Sequence, residues 1–260
     1  MKLLKILTVL ALVLFPFGEV LRFDVGNNVV LKPLDVVVGL AAVLFFFQKK
    51  HLVIKSSSFA KGFGGTRSSY KVIKLILVFS LIGLVSLLIN LTWLAPNELL
   101  ASSFYLLRWI AYAALFPIVM SFDEKFKKKL MVFLFIDGLV ILLAGFLQYF
   151  FFNSLKSLYY LGWDEHMHRV FSTFFDPNFA GAFFVLFFLF VGGVFVSRIP
   201  LSKEKPHPSP STPVKQAASL RPALKGEGVI FNKYFLFFVL GLTLIAIFLT
   251  FSRAALLGLI

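Results

Sequence analysis

An all-α, polytopic transmembrane helical bundle is the fold class predicted by three features of this 260-residue sequence. Its residues are 59% hydrophobic and 35 of them are phenylalanine. The mean hydropathy is +0.91, more apolar surface than a soluble core can hide. The apolar residues also gather in seven stretches, 4–17, 34–47, 72–95, 99–120, 130–152, 179–197 and 233–251, close to the run of about 20 that a bilayer-crossing helix needs.

The first stretch, MKLLKILTVLALVLFPFGEV, has the basic start and apolar run of a secretory signal. No small-x-small cleavage site follows, so it reads as an uncleaved first span. It and 34–47 are the shortest of the seven. Residues 49–70 are basic and rich in Ser and Gly, the composition of a mobile linker. Their GFGGT, at 62–66, lacks the spacing and the following Lys-Ser/Thr of a phosphate loop and reads as a turn.

Arg108 falls inside the fourth stretch, where a central arginine costs about 2.5–3.5 kcal/mol on insertion scales. It should face the bundle interior or a wet cavity, with Asp137 of the fifth stretch as its candidate partner. Arg108 is thus a functional candidate, with a structural ion pair or outward snorkelling as the competing account, and Asp35 reads as interfacial. Residues 198–233 carry Pro206, Pro208, Pro210 and Pro213 without apolar periodicity and read as a basic Pro/Ser-rich linker. An eighth apolar run begins at Ala254 and reaches only Ile260. The expectation is therefore the N-terminal portion of a larger bundle, inactive by itself.

Positive charge sets the expected orientation, because cytoplasmic loops hold an excess of Lys and Arg. With the N-terminus inside, twenty of the 26 basic residues are cytoplasmic: two near the start, seven in 49–74, four in 125–129 and seven in 198–233. The net charge of +14 then reads as attraction to an anionic inner leaflet, and no nucleic-acid partner is expected. The absence of cysteine rules out disulfides and thiolate metal sites.

Two polar segments on the expected outer side carry most of the functional signal: RVFSTFFDPNFAG (169–181) and LTFSRAALLG (249–258). Aromatic rings between 159 and 163 suit the headgroup level. In the first segment Pro177 can open a helix, Asp176 can cap it, and the helix amides can attract an anion beside Arg169 and Ser172. Arg253 emerges on the same side. A guanidinium makes two parallel charge-assisted bonds to phosphate, although a single outward arginine is as readily a snorkelling anchor. His166 and His168 are near Arg169 and have the pKa range for proton transfer. As an HxH metal pair they lack further ligands beyond Asp164 and Glu165, and no metal or other cofactor is expected.

Arg169, Ser172, Thr173, Phe174, Pro177 and Asn178, followed by Thr250, Ser252, Arg253 and Ala254, resemble the motifs of the O-antigen ligase and O-antigen polymerase superfamily of bacterial envelope glycan enzymes. The likeness covers mainly residues 130–260. It implies a membrane glycosyltransferase of the inner membrane that acts on the outer face. The donor would be a saccharide on polyprenyl (undecaprenyl) diphosphate, and the acceptor a glycan or glycolipid in lipopolysaccharide or other surface-polysaccharide assembly. Arg169, Arg253, Ser252, Asn178 and Ser172 would bind the donor diphosphate, stabilising its charge as it leaves. The family places its catalytic histidine in an outer loop beyond the seventh span, past residue 260. His166 and His168 do not match that pattern and stand only as substitutes. A multi-span transporter or channel for a small anionic or lipid-linked solute is the alternative, and a catalytically dead scaffold a third.

Overall fold

The computed structural model describes residues 1–26, 29–53, 67–161, 163–198 and 232–259. It is mostly helical, and its contacts divide it into two compact units, Met1–Leu134 and Phe135–Ile260. The GFGGT turn and almost all of the 198–233 linker lie outside the described residues.

In the first unit, helix α1 spans Lys2–Leu14. Its buried residues Leu4, Thr8 and Ala11 repeat at the helical spacing of one face. A single 3-10 turn, Phe15–Phe17, follows, with Pro16 at its second position. Strands β1 (Phe23–Gly26) and β2 (Val29–Leu31) pair as an antiparallel hairpin with Phe23 opposite Leu31, an element the sequence analysis did not predict. Helix α2 spans Pro33–Val53. Proline suits its first turn because no amide partner is needed there, and Asp35 Oδ2 accepts from the Lys32 amide at 3.1 Å.

Helix α3 covers Arg67–Ile89 and α4 covers Pro96–Ala113. The ring of Phe79 lies 4.7 Å from that of Trp109, and Gly83 sits against Leu106. The apolar side chains of α3 remain largely unburied among the described residues. The fourth apolar stretch is interrupted: α4 gives way at Ala114 to the short α5, Leu115–Met120. Pro117 has no amide to donate to the carbonyl of Ala113 and its ring crowds that turn. Leu4, Ala41, Ala42, Phe45, Ile118 and Leu130 anchor the core of this unit.

Helix α6, Glu124–Phe151, begins in the first unit and continues into the second. There it precedes α7 (Pro177–Arg198), α8 (Lys233–Leu249) and α9 (Arg253–Leu259). Leu236, Val239, Thr243 and Ala246 form the buried stripe of α8, at intervals of three and four residues. Phe187 of α7 packs into the surface left open by Gly138 of α6.

Among the described residues, four helical segments are long and apolar enough to cross a membrane: Lys71–Thr92, Pro96–Met120, Glu124–Phe151 and Pro177–Ser197. The apolar parts of α2 and α8, Pro33–Gln48 and Lys233–Leu249, are shorter. Each of the seven apolar stretches does contain helix, but the expected count of about seven spans is not reached. The shortfall has local causes. Pro16 follows α1 after 13 residues, about 20 Å of helix, and α8 ends one residue before Thr250.

Candidate functional site

The second unit brings the two polar segments together. The Val170 amide donates to the Leu249 carbonyl at 2.9 Å, and Arg169 Nε donates to the Thr250 carbonyl at 2.8 Å. Thr250 closes α8 and Arg253 opens α9, so the pair of bonds fastens the Arg169 loop to the break between those helices. Gly181 makes the approach of α7 to this break possible. A Cβ there would lie 2.8 Å from Ala255 Cβ, 3.0 Å from Thr250 Oγ1 and 3.2 Å from Ser252 Cβ.

Gln148, near the end of α6, holds the loop from its other side. Its Nε2 donates to the carbonyls of Phe152 at 2.9 Å and Arg169 at 3.2 Å. Its Oε1 accepts from the amides of Phe171 at 2.9 Å and Ser172 at 3.2 Å. Gln148 is buried, where each unsatisfied amide costs about 1–3 kcal/mol; one side chain thereby settles four backbone groups of an irregular segment. Sequence reasoning missed it. The signal was a glutamine in the otherwise apolar run ILLAGFLQYFF, eleven residues and so about three turns after Asp137.

The non-glycine residues with positive φ among those described lie in these two segments or immediately before the first: His168 (51°), Ser172 (50°), Phe175 (55°) and Phe251 (50°). Such backbone persists only when its surroundings over-determine it, and it gathers at functional sites. Here Gln148 and the Leu249 and Thr250 carbonyls supply the constraint.

The individual candidates divide into those whose polar groups are unengaged and those held within the fold. Arg169 is part-buried, with its terminal amino groups free of hydrogen bonds to the described residues. Arg253 is exposed at the start of α9 and has no side-chain partner among them. Asn178 is exposed in the first turn of α7. Ser172, by contrast, is buried and its hydroxyl donates to the Ile141 carbonyl at 2.7 Å. Ser252 is buried too, and its Oγ accepts from the Ala255 amide at 3.3 Å as the cap of α9. Both serine hydroxyls are thus engaged with the backbone: Ser172 ties its loop to α6, and Ser252 caps α9. Thr173 Oγ1, in the same loop, is buried without a hydrogen-bond partner.

Asp176 does cap α7, accepting from the Asn178 amide at 2.6 Å and the Phe179 amide at 3.1 Å. This corrects the expected anion site at that helix end, since the aspartate's own negative charge already occupies the amides. His168 donates its backbone amide to the Asn153 carbonyl at 2.8 Å, and His166 lies in the same loop. Among the described residues no group of three or more His, Asp or Glu comes together as a metal site.

Arg108 belongs to the first unit, and its partner is not Asp137. Its guanidinium donates to Asp35 Oδ2 at 2.7 Å and to the Val30 carbonyl of β2. Tyr112 donates to Asp35 Oδ1 at 2.9 Å, so Asp35 accepts from both. The unforeseen hairpin explains the correction, because it carries Val30, Lys32 and the start of α2 to the side of α4. Asp137 is buried in α6 with Oδ2 unpartnered. No family model, curated protein or solved structure matches the chain.

Proposed function

We propose that the chain is an integral membrane glycosyltransferase of the O-antigen ligase or polymerase type. In this reading it moves a saccharide from a polyprenyl-diphosphate donor to an acceptor glycan or glycolipid, on the outer face of the cytoplasmic membrane. The single observation that carries the reading is the junction of the two arginine segments, made by the Arg169–Thr250 and Val170–Leu249 bonds. The junction ties Arg169 to Thr250, 81 residues away in sequence and three before Arg253; in this reading the two guanidiniums, which retain free donors, serve a diphosphate that gains charge as its glycosidic bond breaks.

In the same proposal α1, α2 and α8 join the four longer helices as spans. The N-terminus is cytoplasmic, so that the Lys- and Arg-rich stretches lie inside and the Arg169 site outside. The Lys5–Asp123 ion pair agrees with this threading, since it puts the start of α1 and the α5–α6 turn at one end of the first unit.

Membranes containing the product of the complete reading frame, supplied with a polyprenyl-diphosphate glycan and an acceptor, test the reading through Arg169→Ala and Arg253→Ala at matched protein levels. Loss of transfer in both variants is the expected result, and a ladder or a single product separates polymerase from ligase. Undiminished transfer reduces both arginines to interfacial anchors. No transfer by the wild type brings the transporter reading forward.

A further inference from the structure

The first unit contains a cavity of about 430 Å³, within the range of ligand pockets and too small for another helix of about 10 Å diameter. Ala11 of α1, Phe15 of the turn that follows it, Leu34 of α2, Leu115 of α5, and Leu130 and Leu134 of α6 line it. The polar side chains along these walls already donate their protons within the protein. Thr8 Oγ1 donates to the Leu4 carbonyl at 2.8 Å, and the Tyr112 hydroxyl to Asp35. Only Lys127 brings charge to the lining.

Lys127 belongs to a basic run with Lys125, Lys128 and Lys129. Its Nζ donates to Glu124 Oε1 at 2.9 Å, but that carboxylate is 80% exposed. An exposed pair of this kind contributes little and exchanges readily for a stronger acceptor. The nearby Asp123 is engaged by Lys5, which leaves the run with an excess of positive charge. A slot with oil along its walls and a cation at one end selects an amphiphile with an anionic head.

We propose that this cavity holds an acyl chain of an anionic bilayer phospholipid, with the lipid phosphate on Lys127. The proposal rests on the membrane embedding argued above and is independent of glycosyl transfer. From Lys127 to Leu134, α6 rises about 10 Å, so the slot takes part of one chain and the remainder continues into the bilayer.

The complete chain, purified in neutral detergent, is mixed with phosphatidylglycerol or phosphatidylcholine bearing a photoreactive acyl chain, illuminated, and mapped by peptide. Phosphatidylglycerol should label peptides containing Ala11–Phe15 and Leu130–Leu134 in preference to phosphatidylcholine. Lys127→Gln, a change at a part-exposed position, should lower that labelling roughly fivefold, the scale of one partly exposed charge pair. Ala11→Phe, which fills the slot, should abolish it while labelling of α3 persists. Equal labelling by the two lipids, or labelling indifferent to Lys127→Gln, overturns the proposal. Retention of the chain in membranes through an alkaline carbonate wash tests the embedding separately.

Discussion

Arg169 reaches the Thr250 carbonyl through Nε alone, at 2.8 Å, so the bond that positions the guanidinium leaves its terminal amino groups for a ligand. Lysine retains the charge but has no rigid fork with which to satisfy a carbonyl and a diphosphate together. Arg169→Lys should therefore lower glycan transfer by about 10- to 100-fold, the equivalent of one charge-assisted hydrogen bond, with protein level and membrane insertion unchanged. Activity equal to wild type in the membrane transfer assay would remove the guanidinium geometry from the mechanism.

Gln148→Leu keeps most of the side-chain volume and deletes the four bonds to Phe152, Arg169, Phe171 and Ser172. The amides of Phe171 and Ser172 lose their acceptor in a buried place, a loss of about 2–4 kcal/mol for the pair. Hydrogen exchange by mass spectrometry should show these two amides opening faster while α8 retains its protection. Unchanged exchange at 171 and 172 would mean that Gln148 does not hold the loop.

Gly181→Ala introduces a Cβ 2.8 Å from that of Ala255, and overpacking of this kind costs about 1–3 kcal/mol. The melting temperature in detergent should fall and transfer with it, since the added carbon pushes α7 from the α8–α9 break. Adding Ala255→Gly should restore part of the loss. Restoration stays partial because Thr250 Oγ1 and Ser252 Cβ remain at 3.0 and 3.2 Å.

The helices were legible because they follow from local rules: apolar runs of helical length, and Pro177 behind a capping Asp176. Three matters were not. The partner of Arg108 depends on a hairpin that places Val30 and Asp35 beside α4, a tertiary event with no periodic signal in its few residues. The helix-end anion site failed because the residue that marks a helix start, Asp176, also fills it. The roles of Ser172 and Ser252 turn on burial, which hydroxyls near a membrane surface do not announce.

Asp35 accepts from Arg108, Tyr112 and the Lys32 amide, so Asp35→Ala orphans three donors while Arg108→Met leaves only acceptors behind. Breaking a fully buried pair costs about 3–5 kcal/mol. Here the Arg108 side chain is 30% exposed, which reduces the expectation for Asp35→Ala to about 2–3 kcal/mol. Arg108→Met should cost less, and the double variant should fall short of the sum. Detergent-phase unfolding of the four proteins measures the coupling; strict additivity would mean that the pair contributes nothing.

Asp123 lies between α5 and α6, and the hydrogen bond from the Lys5 ammonium is the main cause holding its carboxyl below the usual range. A carboxylate with a depressed folded pKa favours the folded state in full above its unfolded value, about 3.9. That contribution fades as pH falls from there through the lower folded pKa, because the proton removes the charge that Lys5 binds. Asp123→Asn should therefore melt below wild type at pH 7, and the gap should narrow as the pH is taken from about 5 down toward 3. The pair is solvent-exposed, so raising the salt at pH 7 should narrow the same gap. Melting curves of the two proteins at matched detergent decide the matter: a gap that persists unchanged in acid would assign the loss to the Asp123 contact with the Phe126 amide and not to the ion pair.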